Sequence, residues 1–177
     1  MWVAAYGWIV HFYLMGAGFA DINIGMGALL GYHVPENLNR PLRRTNMLEF
    51  WRSWNMMVGE FLKNWVYIPL GGNRKGEART HLNYFATMFA CGLWHGLNPT
   101  FVVWGLLHGA SLSVNRWWRA HFGEAVVKRL GERPTRLLGW AITFHFVVLT
   151  FTMLYSASTG KSFETCMATV LRMLALA

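Results

Sequence analysis

The sequence predicts an all-α integral membrane protein, with several transmembrane helices and with re-entrant and interfacial amphipathic helices around a funnel or tunnel. Its 177 residues are 54% hydrophobic and 16% aromatic, and only 14% of them are charged. The ten tryptophans and ten methionines exceed the usual content of soluble domains. The charged residues gather in the stretches that connect apolar runs, as in polytopic membrane proteins. Composition and charge distribution therefore favour the membrane class.

The basic residues indicate membrane topology. The net charge is +8, which in a soluble domain would suggest a nucleic-acid partner. Here the basic side chains lie beside apolar segments, as the positive-inside rule describes for cytoplasmic loops. They cluster in the stretches 40–44, 74–79 and 116–136. We interpret them as topology signals and as contacts for anionic membrane lipids, and we expect no nucleic-acid partner.

The first part of the chain contains one spanning segment and one amphipathic segment. The run from Trp2 to Phe19 is almost uncharged and close to the roughly 20 residues that cross a bilayer, so it predicts a transmembrane helix. The stretch from Tyr32 to Asn46 contains Pro35 and Pro41 and predicts a surface loop. From Met47 to Tyr67, large apolar residues recur every three or four positions with charges between them. This pattern predicts an amphipathic helix at the membrane interface.

The middle of the chain predicts a basic loop followed by a helical hairpin. The loop from Pro69 to Gly76 is turn-rich and basic, so it could cradle an anion, although it lacks the spacing of a P-loop. Two apolar segments, 82–97 and 100–115, follow on either side of Asn98-Pro99. Each would form a helix of only about 24 Å, whereas the hydrocarbon core is about 30 Å thick. We therefore expect the hairpin tip at membrane depth, where irregular backbone must be buried or line a wet cavity.

The last part of the chain contains a second clear span. The run from Leu137 to Leu154 predicts a transmembrane helix, and the basic stretch before it predicts a loop. From Lys161 to Ala177, apolar residues at helical spacing predict an amphipathic helix at the edge of the fold. The N-terminus lacks the basic region and cleavage site of a signal peptide. We treat residues 1–177 as a single membrane domain.

His95, near the predicted hairpin tip, is the first candidate for chemistry. Histidine is the side chain best suited to act as a general base near neutral pH. The alternative is a structural histidine that is hydrogen-bonded across the hairpin. Asn55 lies in an aromatic stretch, where its amide could orient a hydroxyl or stabilise an oxyanion. An asparagine in such a place could equally be a helix cap or an interhelical bond.

Two further residues of the hairpin leave alternatives open. His108 on the returning arm could line the same cavity more deeply, or it could be structural. Cys91 precedes His95 by one helical turn, which permits a Cys/His nucleophile pair, although a small buried residue at a helix contact explains the cysteine as well. These residues lack a carboxylate or a fourth ligand at a compatible spacing, so we expect no metal site. With Cys166 as the only other cysteine, the sequence gives no disulfide framework.

Several motifs, in their order and spacing, make the chain recognisable over about residues 6–155. They are Asp21-Ile-Asn-Ile-Gly-Met-Gly-Ala-Leu-Leu-Gly31 with Pro35-Glu-Asn-Leu-Asn-Arg-Pro41, Glu49-Phe-Trp-Arg-Ser-Trp-Asn55, Tyr67-Ile-Pro-Leu-Gly-Gly-Asn-Arg74, and Leu93-Trp-His-Gly96 with Trp104-Gly-Leu-Leu-His-Gly109. The chain resembles the membrane-bound O-acyltransferase family. Within that family it is similar to the bacterial branch that contains the alginate O-acetylation membrane protein and the D-alanyl transfer protein.

The resemblance implies an α-helical protein of the bacterial inner membrane, with a funnel or tunnel whose Trp-His-Gly histidine, here His95, is at the active site. It implies acyl transfer from a thioester, either acetyl-CoA or an acyl carrier, to a hydroxyl of a cell-surface polysaccharide or to an extracytoplasmic acetyl-transfer protein. The thioester is a substrate, and no bound cofactor is expected. With Asn55 as a catalytic partner, we expect substrate contacts from four further residues: His108, Trp94, Trp54 and Arg52.

Three departures from the family pattern bear on donor and acceptor more than on fold. Asn55 stands where this branch usually has histidine, Lys63-Asn64-Trp65 replaces Arg-Asp-Tyr, and Tyr155-Ser156 stands where Phe-Arg is common. Chains of the family are also far longer, so we expect this sequence to be the C-terminal portion of the fold. Two other functions therefore stay open: acylation of a lipid or protein hydroxyl, and a non-catalytic membrane scaffold or inactive fragment.

Overall fold

The computed structural model describes residues 1–175, and all regular structure within them is helical. This confirms the predicted all-α class. Eight α-helices follow one another: α1 Trp2–Leu29, α2 Met47–Trp51, α3 Met56–Leu62, α4 Glu77–His95, α5 Pro99–His121, α6 Gly123–Leu130, α7 Glu132–Ser158 and α8 Phe163–Ala175. A short 3-10 turn at Pro41–Arg43 precedes α2, and a π-helical turn at Lys63–Tyr67 continues α3.

Two helices, α1 and α7, are long and apolar enough to cross a membrane. They contain 28 and 27 residues, so both are longer than the apolar runs that predicted them. Helix α1 continues past Phe19 because nothing in the next ten positions forbids helical backbone, and isolated glycines weaken a helix without ending it. The chain leaves the helix at Gly31, whose φ is +78°. The predicted end of this span was therefore wrong by about one third of its length.

Helices α4 and α5 form a tightly packed hairpin at the centre of the fold. A Cβ atom on Gly92 would lie 2.3 Å from the carbonyl oxygen of Phe101, and one on Gly105 would lie 2.3 Å from that of Met88. No larger residue fits at either position without separating the two backbones. Small residues of this kind let membrane helices approach closely. The hairpin thereby holds His95, the last residue of α4, in a fixed place.

The two arms of the hairpin are longer than the apolar segments that predicted them, but neither is among the helices that are long and apolar enough to cross a membrane. With 19 and 23 residues, α4 and α5 are about 28 and 34 Å long. Both helices extend beyond their apolar runs into polar turns, since helical backbone does not require apolar side chains. The position of the hairpin tip at membrane depth stays a prediction.

The predicted helix over 47–67 is broken in the middle. Residues 52–55 separate α2 from α3, and the hydroxyl of Ser53 donates to the carbonyl oxygen of Glu49 at 2.9 Å. The preceding segment closes the break: the amide of Asn39 donates to the carbonyl of Ser53, and the amide of Met56 donates to that of Asn37, both at 2.9 Å. The predicted surface loop 32–46 is therefore partly structural, because it supplies partners for the interrupted helix.

The C-terminal third of the chain differs from one prediction and agrees with another. The predicted basic loop that runs to Arg136 is wrong, because the end of α5, the amphipathic helix α6 and the start of α7 cover nearly all of the stretch 116–136. The predicted edge helix is confirmed as α8, which buries Cys166 and Met173. The last two residues of that predicted helix, 176 and 177, lie outside the described residues.

Candidate active site

A cavity of about 820 Å³ lies between α1, α2, α3, α4, α5 and α7. Five of the six side chains that the sequence singled out line it: Arg52, Trp54, Asn55, Trp94 and His95. The two motifs that contribute them lie far apart in the chain, and they meet at this cavity because α2 and α3 pack against the α4–α5 hairpin. Among the predicted site residues only His108 lies away from this lining.

His95 is held in the cavity wall by aromatic contacts. Its ring centroid lies 4.9 Å from that of Trp94 and 5.2 Å from that of Trp104, both edge to face. Neither ring nitrogen is hydrogen-bonded to another residue within 1–175, so the bond across the hairpin that a purely structural histidine would make is not observed. Both nitrogens are therefore available to a molecule in the cavity, and aromatic edges, in place of a carboxylate, orient the ring.

Asn55 combines an unusual backbone with a free side chain. Its φ and ψ are 46° and 55°, in the left-handed region that asparagine tolerates better than most residues. Although it occupies the N-cap position of α3, its side chain makes no capping hydrogen bond. The side chain of Asn37 caps this helix instead, accepting from the amide of Met57 at 3.1 Å. The amide of Asn55 is thus left unbonded beside the cavity, and the cap that sequence offered as an alternative role is not formed.

The predicted aromatic contacts differ in burial. Trp54 is buried and packs against Phe50 and Phe151, at centroid distances of 5.7 and 5.1 Å. Trp94 is 60% exposed and reaches the cavity from its rim. Arg52, in the break between α2 and α3, is an exposed cation at the edge of the cavity. These side chains contribute two tryptophan rings and one cation to the lining of the cavity.

His108 is fully buried, and both of its ring nitrogens have partners. The indole of Trp51 donates to Nδ1 at 3.2 Å, which assigns the proton to Nε2. Nε2 then donates to the hydroxyl of Thr150 at 3.0 Å, and that hydroxyl donates to the carbonyl of Phe146 at 2.9 Å. His108 therefore stands behind Trp51 and links α2, α5 and α7. A substrate in the cavity would reach it only if Trp51 moved.

The other candidate chemistry at the hairpin has no support in the geometry. Cys91 is buried in the cavity wall, but it makes no hydrogen bond to His95. Within residues 1–175, no three histidine, cysteine or carboxylate side chains lie close enough together to hold a metal ion.

Sequence reasoning missed the polar end of the cavity, where Tyr67, Tyr84 and Arg116 join the lining. Arg116 donates from Nε and Nη2 to the two carboxylate oxygens of Glu77 at 2.7 and 2.5 Å. The hydrogen bonds from Arg116 lower the pKa of Glu77 and connect the start of α4 to the last turns of α5. The sequence gives no sign of this pair, because the two residues are far apart in the chain and meet only when α4 and α5 pack side by side.

The comparisons with known proteins agree with this architecture. The model of the membrane-bound O-acyltransferase family matches residues 1–158. Over 148 residues the chain is 36% identical to the probable alginate O-acetylase of Pseudomonas fluorescens, which covers 84% of this chain and 28% of that protein. It is 37% identical over 148 residues to the peptidoglycan O-acetyltransferase of Helicobacter pylori, covering 84% of this chain and 27% of that protein.

A more distant likeness joins the chain to the teichoic acid D-alanyltransferase of Bacillus subtilis, at 26% identity over 153 residues, with 82% of this chain and 38% of that protein covered. The chain spans little more than a quarter of the length of the first two relatives. The shared stretch contains both cavity motifs, and the family model covers most of the described helices. The chain belongs to the membrane-bound O-acyltransferase family, a family of membrane proteins.

Proposed function

We propose that the protein is an integral O-acyltransferase of the bacterial inner membrane that transfers an acyl group, in the simplest case acetyl, from a thioester to a hydroxyl. We further propose that the hydroxyl belongs to a cell-surface polysaccharide, or to an extracytoplasmic protein that passes the acyl group on. The relatives support this class of reaction, since their names describe acetylation of alginate or peptidoglycan and D-alanylation of teichoic acid.

One observation carries the catalytic proposal: His95 and Asn55 line the same cavity, and neither side chain is bonded to another described residue. Both side chains are partly exposed in the lining, so their polar atoms are accessible to a molecule in the cavity. Two unpaired groups of complementary chemistry, one able to accept a proton and one able to donate a hydrogen bond, indicate a site prepared for a substrate. The apolar walls around them strengthen electrostatic interactions by excluding water.

The transfer proceeds in two proton-coupled steps. One ring nitrogen of His95 removes the proton of the acceptor hydroxyl as its oxygen attacks the thioester carbonyl carbon. The amide of Asn55 donates a hydrogen bond to the oxyanion that forms. When the tetrahedral intermediate collapses, the carbon–sulfur bond breaks, and the departing thiolate takes the proton from His95. The products are an ester and a thiol, and His95 returns to its neutral form.

The test replaces each group in the intact protein and measures transfer of labelled acetyl from acetyl-CoA to surface polymer in membranes. His95→Ala should lower the rate by about 10²- to 10⁴-fold, the usual contribution of a general base. Asn55→Gly removes the amide while permitting the left-handed backbone, and it should lower kcat by about 10²- to 10³-fold. His121→Ala, at an exposed histidine at the end of α5, is the matched control.

Unchanged acetylation by the His95→Ala protein would refute the catalytic proposal and favour a non-catalytic scaffold. Donors of increasing acyl length separate the possible reactions. A preference for long chains would contradict the acetyl donor and favour acylation of a lipid or protein hydroxyl.

A further inference from the structure

Helix α6 turns most of its apolar face away from the fold. At about 100° per residue, Gly123, Val126, Val127 and Leu130 fall within a sector of about 100°, and the three charged residues of the helix fall outside it. Val127 and Leu130 are large and apolar, yet they are 37% and 49% exposed. An amphipathic helix stabilises its apolar face only when that face is covered, so this one requires a partner outside the fold.

The aromatic residues at the end of α5 are also exposed. Phe122 immediately precedes α6, and its ring centroid lies 5.4 Å from that of Trp117 and 5.1 Å from that of Trp118. All three rings are more than 40% exposed. Tryptophan is enriched at the boundary between water and the hydrocarbon of a membrane. We call residues 117–136, which contain these rings, α6 and the start of α7, the anchor segment.

The anchor segment has an excess of positive charge that the protein does not neutralise. It contains only two carboxylates, those of Glu124 and Glu132. Within residues 1–175, the ion pairs no longer than 4.0 Å all involve Glu77, which lies outside the segment. Each cation close to an anionic membrane surface strengthens binding by about fivefold. The exposed cations of the segment are Arg119, Lys128, Arg129, Arg133 and Arg136.

The anchor segment lies just before the point at which the chain becomes apolar enough to enter the membrane. Helix α7 is one of the two candidate membrane spans, and its apolar run begins at Leu137. Gly131, with a φ of +84°, ends α6 and allows the chain to turn into α7. The uncovered apolar face of α6 therefore precedes the membrane span by only a few residues, and cations lie on both sides of the turn.

We propose that the anchor segment binds the surface of an anionic membrane. Helix α6 lies in the interface with its apolar face at the boundary between headgroups and acyl chains, and its cations bind the phosphates of anionic phospholipids such as phosphatidylglycerol. Amphipathic helices with basic polar faces bind membranes in this way. Exposed apolar side chains alone would suit a protein partner, whereas their combination with unpaired cations beside a spanning helix favours lipid. This membrane contact is independent of the acyl transfer proposed above.

The position of α6 is tested in the intact protein in nanodiscs, with a bimane fluorophore on Val127→Cys and phospholipids brominated near the headgroup as quenchers. The native cysteines, Cys91 and Cys166, are buried, and the unmodified protein reports any labelling of them. The matched control is Ala125→Cys, at an exposed position on the charged side of the same helix. We expect brominated lipid to quench the fluorophore at position 127 strongly, and iodide in the water to quench the one at position 125.

Two results at position 127 would overturn the proposal. A fluorophore quenched by iodide and not by brominated lipid would show that α6 lies in water. A fluorophore reached by neither quencher would show that protein covers the apolar face. Leu130→Cys, on the same face, provides the measurement if Val127→Cys does not fold.

The headgroup preference is measured in the labelled Val127→Cys protein by comparing brominated phosphatidylglycerol with brominated phosphatidylcholine. We expect phosphatidylglycerol to bind at this site about fivefold more strongly or more, the effect of at least one cation. Lys128→Gln/Arg129→Gln should remove most of this preference. The control Lys161→Gln/Arg172→Gln removes the same charge beyond the other end of α7 and should leave it unchanged. Equal binding of the two lipids, or a preference that survives Lys128→Gln/Arg129→Gln, would contradict the proposed role of the cations and overturn the proposal.

Discussion

The coupling free energy of the hydrogen bond between Trp51 and His108 can be measured by a double-mutant cycle. His108→Leu leaves the indole N–H of Trp51 without its acceptor, and Trp51→Phe leaves Nδ1 of the fully buried His108 without its donor. Each single change should cost about 1–3 kcal/mol of unfolding free energy, because it leaves one buried polar group unpaired. The double variant removes both partners and should cost about 1 kcal/mol less than the sum.

The assay is unfolding of the purified protein in mixed micelles by increasing SDS, followed by circular dichroism so that loss of a tryptophan does not alter the signal. Trp117→Phe is the control, because Trp117 is 48% exposed and makes no hydrogen bond to His108. Its cost should add to that of His108→Leu. A cycle for Trp51 and His108 that is additive within about 0.3 kcal/mol would refute the hydrogen bond and the assigned tautomer.

Two further predictions concern the α4–α5 hairpin. Gly105→Ala should destabilise the protein by about 1–3 kcal/mol, because the added Cβ would meet the carbonyl of Met88 at 2.3 Å. Gly18→Ala, with nothing within 4 Å of its Cβ position, should not destabilise it; equal SDS-unfolding midpoints for the two variants would contradict the close packing. Glu77→Gln should lower the thermal midpoint at pH 7, and the difference from the unmodified protein should disappear at low pH. Pairing with Arg116 lowers the pKa of Glu77, so its stabilisation is present above the ordinary value of 4.5 and is lost as pH falls through the lower, folded-state value. A difference that persists in acid would contradict the ion pair.

The sequence predicts the all-α class and a common site for His95 and Asn55, but it does not predict correctly where the helices begin and end. Apolar runs mark the parts of a helix that contact lipid or core, whereas helical backbone continues through polar turns such as 77–81. The break after Trp51 was missed for the opposite reason. Apolar residues keep their three- and four-residue spacing across it, so the pattern gives no sign that the backbone changes direction.

A cavity of about 590 Å³ that is lined by Arg52, Lys63, Arg74 and Lys75 depends on backbone geometry that sequence spacing does not reveal. The loop 69–76 by itself is a weak anion signal, since glycine and two cations occur in many turns. Arg52 and Lys63 complete the cavity, and they come from a segment that the sequence predicted as one continuous interfacial helix. Only the break and the π-helical turn direct both toward the loop. The departure from helical regularity is therefore what assembles the charge.

The two histidines of the α4–α5 hairpin differ in their hydrogen bonding, and we therefore expect their loss to have different effects. His108 has partners at both ring nitrogens, and its loss should therefore appear first in stability. His95 has none among the described residues, and its loss should appear in the rate of transfer while folding is preserved. We expect the same for Asn55 as for His95. The side chain of Asn37 caps α3, so that of Asn55 is not needed for capping. Residue type alone cannot make this distinction, since hydrogen-bond partners decide which polar groups remain available for a substrate.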